Sequence, residues 1–276
     1  MMQMLQKSIV SAVICALAWH GGAAAQASAG AAATYEPTVG QSGKDVVWVP
    51  TPQALVDRML DMAKLTPEDR LVDLGSGDGR TVITAAKRGA TARGIEFNPD
   101  MVALARRAAE AEGVAQRARF EQADIFESDF SEATVITLFL LPSLNVKLRP
   151  TLLDMKPGTR IVSNSFTMGD WQPDESVQAA ADCSAYCSAY KWVVPAKVAG
   201  TWRLDGKELV LDQTYQVLSG SLREGGQATP ISDARMDGST IRFTVGSQRY
   251  TGQVSGDAMQ GTTDGKASWK ATLASR

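Results

Sequence analysis

The chain has 276 residues, of which 44% are hydrophobic and 21% charged, a globular mixture that excludes disorder and collagen-like repeats. That length is room for one large domain or two modest ones. A formal net charge of −2 argues against broad nucleic-acid binding, which needs a basic surface to displace counterions.

The chain opens with the layout of a secretory signal. Lys7 precedes an apolar run from Ser8 to Trp19, and small residues from Gly21 to Ala27 supply A-x-A cleavage positions. The run is shorter than the ~20 residues that span a bilayer, so no stable membrane insertion is expected after cleavage. The expected destination is the periplasm or the exterior. Cleavage after Ala27 removes Lys7 and no acid, taking the net charge from −2 to −3. It also removes His20, the only histidine, and Cys15. A mature chain without histidine cannot build a Ser-His-Asp triad or a His-ligated metal site. No metal site is expected. Residues 28–44 begin Ala/Ser/Gly-rich and are expected to be a flexible leader.

Strand and helix signals then alternate. Thr51 is placed to cap a helix with Pro52 at its first position, and Leu55, Val56, Met59, Leu60 and Ala63 repeat at helical spacing. Arg70 to Leu74 reads as a strand, Arg80 to Arg88 as a helix and Thr91 to Glu96 as a second strand. Asn98-Pro99 opens a helix, and Ala118 to Ala123 reads as a third strand. Ala133 to Phe139 is β-branched and apolar, a strand buried on both faces. A helix from Ser143 to Met155 and a fifth strand from Thr159 to Asn164 follow. This alternation predicts an α/β fold with a doubly wound, mostly parallel, Rossmann-like sheet over residues 45–195.

The loop after the first strand selects among ligands. Its sequence, Asp73-Leu74-Gly75-Ser76-Gly77-Asp78-Gly79-Arg80, is G-x-G-x-G rather than the G-x-G-x-x-G dinucleotide fingerprint. Asp73 and Asp78 would repel a pyrophosphate but attract a ligand with an ammonium and a sulfonium. S-adenosylmethionine has both and no phosphate. Glu96 ends the second strand, where an acid can accept ribose hydroxyls, and Asp124 follows the third, where it can meet the adenine amine.

These residues carry a family resemblance. From about Asp45 to Asp174 the chain resembles a class I, seven-strand S-adenosylmethionine-dependent methyltransferase. It is most similar to the protein-lysine methyltransferases: archaeal enzymes and the mitochondrial family acting on the ATP synthase c-subunit and the adenine nucleotide translocase. The matching segments are Val49-Pro50-Thr51-Pro52, Asp73 to Arg80, Phe139 to Pro150 and Lys156 to Asp174. The resemblance implies S-adenosyl-L-methionine as cofactor, held by Asp73, Gly75, Gly77, Glu96 and Asp124, with Asp78 and Asn98 beside them. Thr51 and the Pro50 turn would close over the methionine end. Leu141, Pro142 and Asn145 take the position after the fourth strand, near the acceptor. A lysine acceptor must arrive neutral, and Trp48, Phe139, Phe166 and Trp171 are candidate apolar walls that lower its pKa and hold the methylated ammonium by cation–π contact. Asp170 is the acid best placed to orient the amine, and it forms the candidate catalytic set with Asn145 and Trp171.

From about Val198 helical periodicity stops. Turn pairs recur at Asp205-Gly206, Ser219-Gly220, Gly225-Gly226, Asp237-Gly238, Gly256-Asp257 and Asp264-Gly265, with short alternating runs between them. A smaller antiparallel all-β domain, barrel or sandwich, is expected over residues 196–276, either as an accessory substrate-binding domain or as a stabilising cap. Tyr190 to Pro195 is expected to complete the first sheet. Cys183 and Cys187 could form a local disulfide, stay free or bind a soft metal. Three functions fit: a protein-lysine methyltransferase, a small-molecule methyltransferase with the β domain as lid, and an exported, non-catalytic binder of S-adenosylmethionine or a nucleoside.

Overall fold

The computed structural model describes residues 35–178 and 185–276. The signal and its His20, residues 28–34 of the leader, Cys15 and Cys183 lie outside the described residues.

Helix α1 (Gln53–Met62) leads into a seven-stranded sheet. Its strands are β1 (Arg70–Leu74), β2 (Thr91–Glu96), β3 (Ala118–Gln122), β4 (Val135–Leu138), β5 (Arg160–Asn164), β6 (Glu175–Gln178) and β7 (Ser188–Val193). They lie in the order β3-β2-β1-β4-β5-β7-β6, and β7 runs antiparallel to both neighbours. The order reverses beside β1, which leaves a crevice at the carboxyl ends of the strands. Alternation along each strand separates two cores. Leu71, Val135 and Val162 pack on one face with α1, α2 (Arg80–Lys87) and α3 (Pro99–Ala111). Val72, Ile136 and Ile161 pack on the other with α4 (Pro142–Leu153). Such two-sided burial explains why β1 and β4 read as near-continuous apolar runs.

Asn98 caps α3, its side-chain oxygen accepting the N–H groups of Asp100 and Met101, with Pro99 next in the helix. The expected Thr51 cap on α1 does not form. Instead the Thr51 hydroxyl accepts a hydrogen bond from Asn164 at 3.1 Å, across the sheet end. Residues 35–44 are not a loose leader either. Gly40 N–H donates to Trp48 O at 2.8 Å, Trp48 N–H to Gln41 O at 2.9 Å, and Ser42 bridges Val47.

The second unit is a closed antiparallel barrel whose eight strands run from β8 (Gly200–Leu204) to β15 (Ala267–Ser275). Trp202, Met236, Phe243, Tyr250 and Trp269 fill its interior, and the Phe243 and Tyr250 rings stack at 4.7 Å. One expected turn is displaced. Ser219-Gly220 lies inside β10 (Val217–Glu224), where Gly220 comes so close to its neighbour strand that a Cβ would sit 1.9 Å from Val210 O. The reversal between β9 (Lys207–Thr214) and β10 falls at Tyr215-Gln216, with Tyr215 at φ +55°.

That turn docks the barrel on the sheet unit. Buried Gln216 accepts the Trp171 indole N–H at 2.9 Å and donates to Gln172 O at 2.7 Å. Tyr215 stacks on Trp171 at 5.8 Å, and Arg235 pairs with Asp174.

Candidate active site

A cavity of about 540 Å³ opens at the carboxyl ends of β1, β2 and β4, within the range of small-molecule sites. Its floor is the glycine loop. Gly77 holds φ +53°, and a Cβ there would lie 2.7 Å from the Trp48 indole nitrogen, so only glycine lets Trp48 close over the turn. Gly75 and Ser76 donate their N–H groups to Ile95 O at 2.9 and 3.0 Å, which locks the loop onto β2.

Four of the acids that line this cavity each have a different neighbour. Asp73 accepts the Thr137 hydroxyl at 2.6 Å on one oxygen. Burial pushes its carboxyl up to about 7, and the charges of Asp78 and Glu96 push the same way against the Thr137 bond. Among the described residues Asp73 forms no ion pair, and it faces the cavity hydrogen-bonded to Thr137. Glu96 accepts the N–H of Gly77 and of Asn98, each at 2.9 Å, one per oxygen. A carboxylate has about four acceptor positions, so Glu96 keeps capacity for ligand hydroxyls. Asp124 accepts Phe126 N–H at 2.9 Å and pairs with Lys44, whose hydrogen bond holds the carboxyl below its ordinary range. Lys44 thus stands where an adenine amine was expected to meet Asp124.

Asp78 lines the cavity but has a cation of its own. Arg80 grips Asp78 through its Nε at 3.1 and 3.0 Å and an outer nitrogen at 2.6 Å. The other arm of the guanidinium donates to Thr51 O at 2.9 Å. Asp78 and Arg80 together tie the glycine loop to the Pro50-Thr51 turn.

Beyond β1 the cavity wall becomes apolar. Leu140, Leu141, Phe139 and Phe166 line it with Thr51. Pro142 does not reach it and instead starts α4. Asn145 is wholly buried behind the wall, where its amide donates to Phe166 O and Thr167 O at 3.3 Å. It positions the loop after β5 and does not touch the cavity.

The structure does not bring Trp171 or Asp170 to the site. Trp171 is 0% exposed and belongs to the junction with the barrel, held by Gln216. Asp170 accepts the Tyr215 hydroxyl at 3.0 Å and pairs with Arg149. The Tyr215 bond, then Arg149, hold its carboxyl below the usual range. Both residues adjoin the second core and the barrel turn, not the cavity mouth.

Sequence reasoning missed Lys44, Arg80, Thr137 and Asn164. Thr137 had a legible signal, a lone hydroxyl inside an apolar strand. Its partner did not, because Asp73 and Thr137 meet only through the β1–β4 register. Cys187 is disulfide-bonded, which settles its state against a free thiol.

Comparison with known proteins agrees with this geometry. Residues 73–175 match the family model of the ANTKMT methyltransferase domain. A protein-lysine N-methyltransferase of Saccharolobus islandicus is 45% identical over 48% of this chain and 84% of its own length. The human lysine N-methyltransferase of the ATP synthase c-subunit is 34% identical over 46% of this chain, and the match spans only 54% of that relative. A solved structure described as an RNA methyltransferase from Salinibacter ruber, in complex with S-adenosyl-L-homocysteine, is 50% identical. It covers 54% of this chain and 96% of its own, with a TM-score of 0.51.

Proposed function

This chain belongs to the family of S-adenosylmethionine-dependent methyltransferases that includes the archaeal protein-lysine N-methyltransferase, and from that premise we propose that it methylates the ε-amine of lysine in a protein. The observation that carries the reading is Asp73, a buried acid at the floor of a glycine-built cradle that forms no ion pair among the described residues. A ligand ammonium would supply its partner.

S-adenosylmethionine, when bound, brings a methyl group on a sulfonium, a good leaving group. The chain's residues fit it in order along the strand ends. Asp124 and Phe97 would take the adenine end, Glu96 would offer acceptor positions to the ribose hydroxyls, and Asp73 would take the ammonium. Trp48 and the Thr51 turn, clasped by Arg80 and Asn164, exclude water from the methionine end. Catalysis then rests on alignment and desolvation. A neutral acceptor amine could then take the methyl group, with the thioether as leaving group and the amine proton passing to water, and the apolar wall of Leu140, Leu141, Phe139 and Phe166 would help keep that amine uncharged.

The 50% identical structure described as an RNA methyltransferase supports a second acceptor class. The acids around the cavity oppose an RNA backbone, so protein lysine is favoured. Labelled cofactor incubated with extract protein and with total RNA separates the two. Label in protein lysine, lost in Asp73→Asn, is the expected result. Label confined to RNA or to small molecules would overturn it. The signal-like residues 1–27 support export. Fractionation of cells expressing the native chain tests that, and a full-length cytoplasmic product would refute it.

A further inference from the structure

The cavity continues past the cofactor-binding ends of β2 and β1 toward β4 and β5, and there three rings converge. Phe139 and Phe166 lie 6.0 Å apart and nearly parallel. Tyr186, which no reading of the sequence singled out, meets Phe139 edge-on at 5.2 Å and Phe166 at 6.0 Å. All three line the cavity, yet Tyr186 is 43% exposed, so the group has an open side.

Each ring is fixed by something outside the cluster. Phe139 follows directly on β4. Phe166 is held through its carbonyl by buried Asn145 at 3.3 Å. Tyr186 sits at φ +56°, a backbone region uncommon for a bulky side chain. The next residue, Cys187, is disulfide-bonded, and Ser188 O accepts Ser165 N–H at 2.7 Å, joining the start of β7 to the end of β5. A strained, tethered, half-exposed tyrosine is an unusual way to make a core contact. Strain of this kind persists where the surroundings over-determine it, often at ligand sites.

We infer that Tyr186 closes Phe139 and Phe166 into a three-ring face that receives the alkylammonium end of the acceptor lysine and favours its methylated forms. Ring faces attract a cation, and more strongly when it carries methyl groups and little water. The tether at Cys187 makes Tyr186 a specificity-determining residue. This inference rests on the lysine reading.

The test uses the full chain saturated with S-adenosyl-L-homocysteine and two probes, Nα-acetyl-Nε-trimethyllysine amide and its uncharged isostere ending in a tert-butyl group. NMR titration of the wild type is expected to show the cationic probe binding about 5- to 30-fold more tightly. Tyr186→Ala should abolish that preference and Tyr186→Phe should keep it, with homocysteine-ligand affinity unchanged in both, which shows that the variants are folded. Complete reduction of the Cys187 disulfide should weaken the cationic probe in the wild type and leave Tyr186→Ala unaffected. Equal binding of both probes to the wild type, or a preference that survives Tyr186→Ala, overturns the inference while leaving methyl transfer intact. Failure of S-adenosyl-L-homocysteine itself to bind would instead overturn the proposed function.

Discussion

The sheet unit and the barrel use glycine and aromatic residues in opposite ways. In the sheet unit, Gly77 leaves room above the loop that Trp48 half-closes, and the rings of Phe139, Phe166 and Tyr186 border open space. In the barrel, Gly220 lets two backbones touch, and Phe243, Tyr250 and Trp269 pack against one another. Unpartnered acidity follows the same division. Buried Asp73 in the sheet unit forms no ion pair among the described residues, whereas the barrel's interior cluster is hydrophobic and aromatic. The difference teaches that a ligand is expected at the first unit's strand ends, while the barrel's interior is filled by its own side chains. The barrel docks on the sheet unit through the Tyr215-Gln216 turn, with its grip on Trp171, and through the Arg235–Asp174 pair.

Removing the barrel's central indole should have the largest effect on stability. Trp269→Ala is expected to cost about 3–5 kcal/mol in denaturant unfolding. If the barrel is only a support, the cofactor Kd of the remaining folded protein stays within a few-fold of wild type. A large loss of affinity at full folding would break the comparison.

Asp73→Asn should act in the reverse manner. It removes the carboxylate that faces the ligand ammonium, costing about 2 kcal/mol or more of binding, roughly 30-fold or more in Kd by calorimetry. Because the folded carboxyl titrates near 7 rather than 3.8, the free wild-type protein loses stability as pH rises from about 4 through 7. The asparagine variant should not show that loss. At pH 8 it should melt no lower than wild type while binding far less cofactor.

Between these lies Gln216→Ala, which strips the buried Trp171 indole of its acceptor. The expected cost is about 1–3 kcal/mol of stability, with a loosened loop after β5. A variant as stable as wild type would show that the docking turn is dispensable.

The pH dependence of binding sharpens the role of Asp73 further. A cationic ligand needs the ionised carboxylate, so below about 7 each pH unit should weaken cofactor binding about tenfold, with little change above. A flat profile between pH 5 and 7, in the same calorimetric series, would remove Asp73 from the ammonium site.

The smallest effect is expected from Lys44→Ala. Its exposed pair with Asp124 contributes little to stability, and its removal should change cofactor Kd by no more than a few-fold. A large gain in affinity would show that Lys44 competes with the adenine amine for Asp124.

Legibility of the sequence followed the range of the interactions involved. The strand order's ingredients, the glycine loop, the Asn98 cap and the acids at successive strand ends were readable because each depends on neighbours within a few residues. Asp170 and Trp171 looked like site residues because they lie within a family-like segment, yet their partners, Tyr215 and Gln216, lie more than forty positions away. The Ser219-Gly220 pair had turn chemistry, but the approach of Val210 turned its glycine to another use. The edge strand β6 was missed because its four residues are mostly exposed and carry no apolar run.

The amino-acid sequence by itself determined the doubly wound sheet, the all-β character of the second unit and the chemistry of a cationic, phosphate-free cofactor, since periodicity, turn residues and charge are local properties. Tertiary structure alone decided which acids stay unpaired. Arg80 neutralises Asp78 from two residues away but also reaches Thr51, Lys44 crosses eighty positions to Asp124, and Asp73 is left with a hydroxyl. It also decided that Tyr186 joins two phenylalanines from the loops after β4 and β5. The physical reason is common to both: burial and pairing are set by which chain segments are brought together at the sheet's edge.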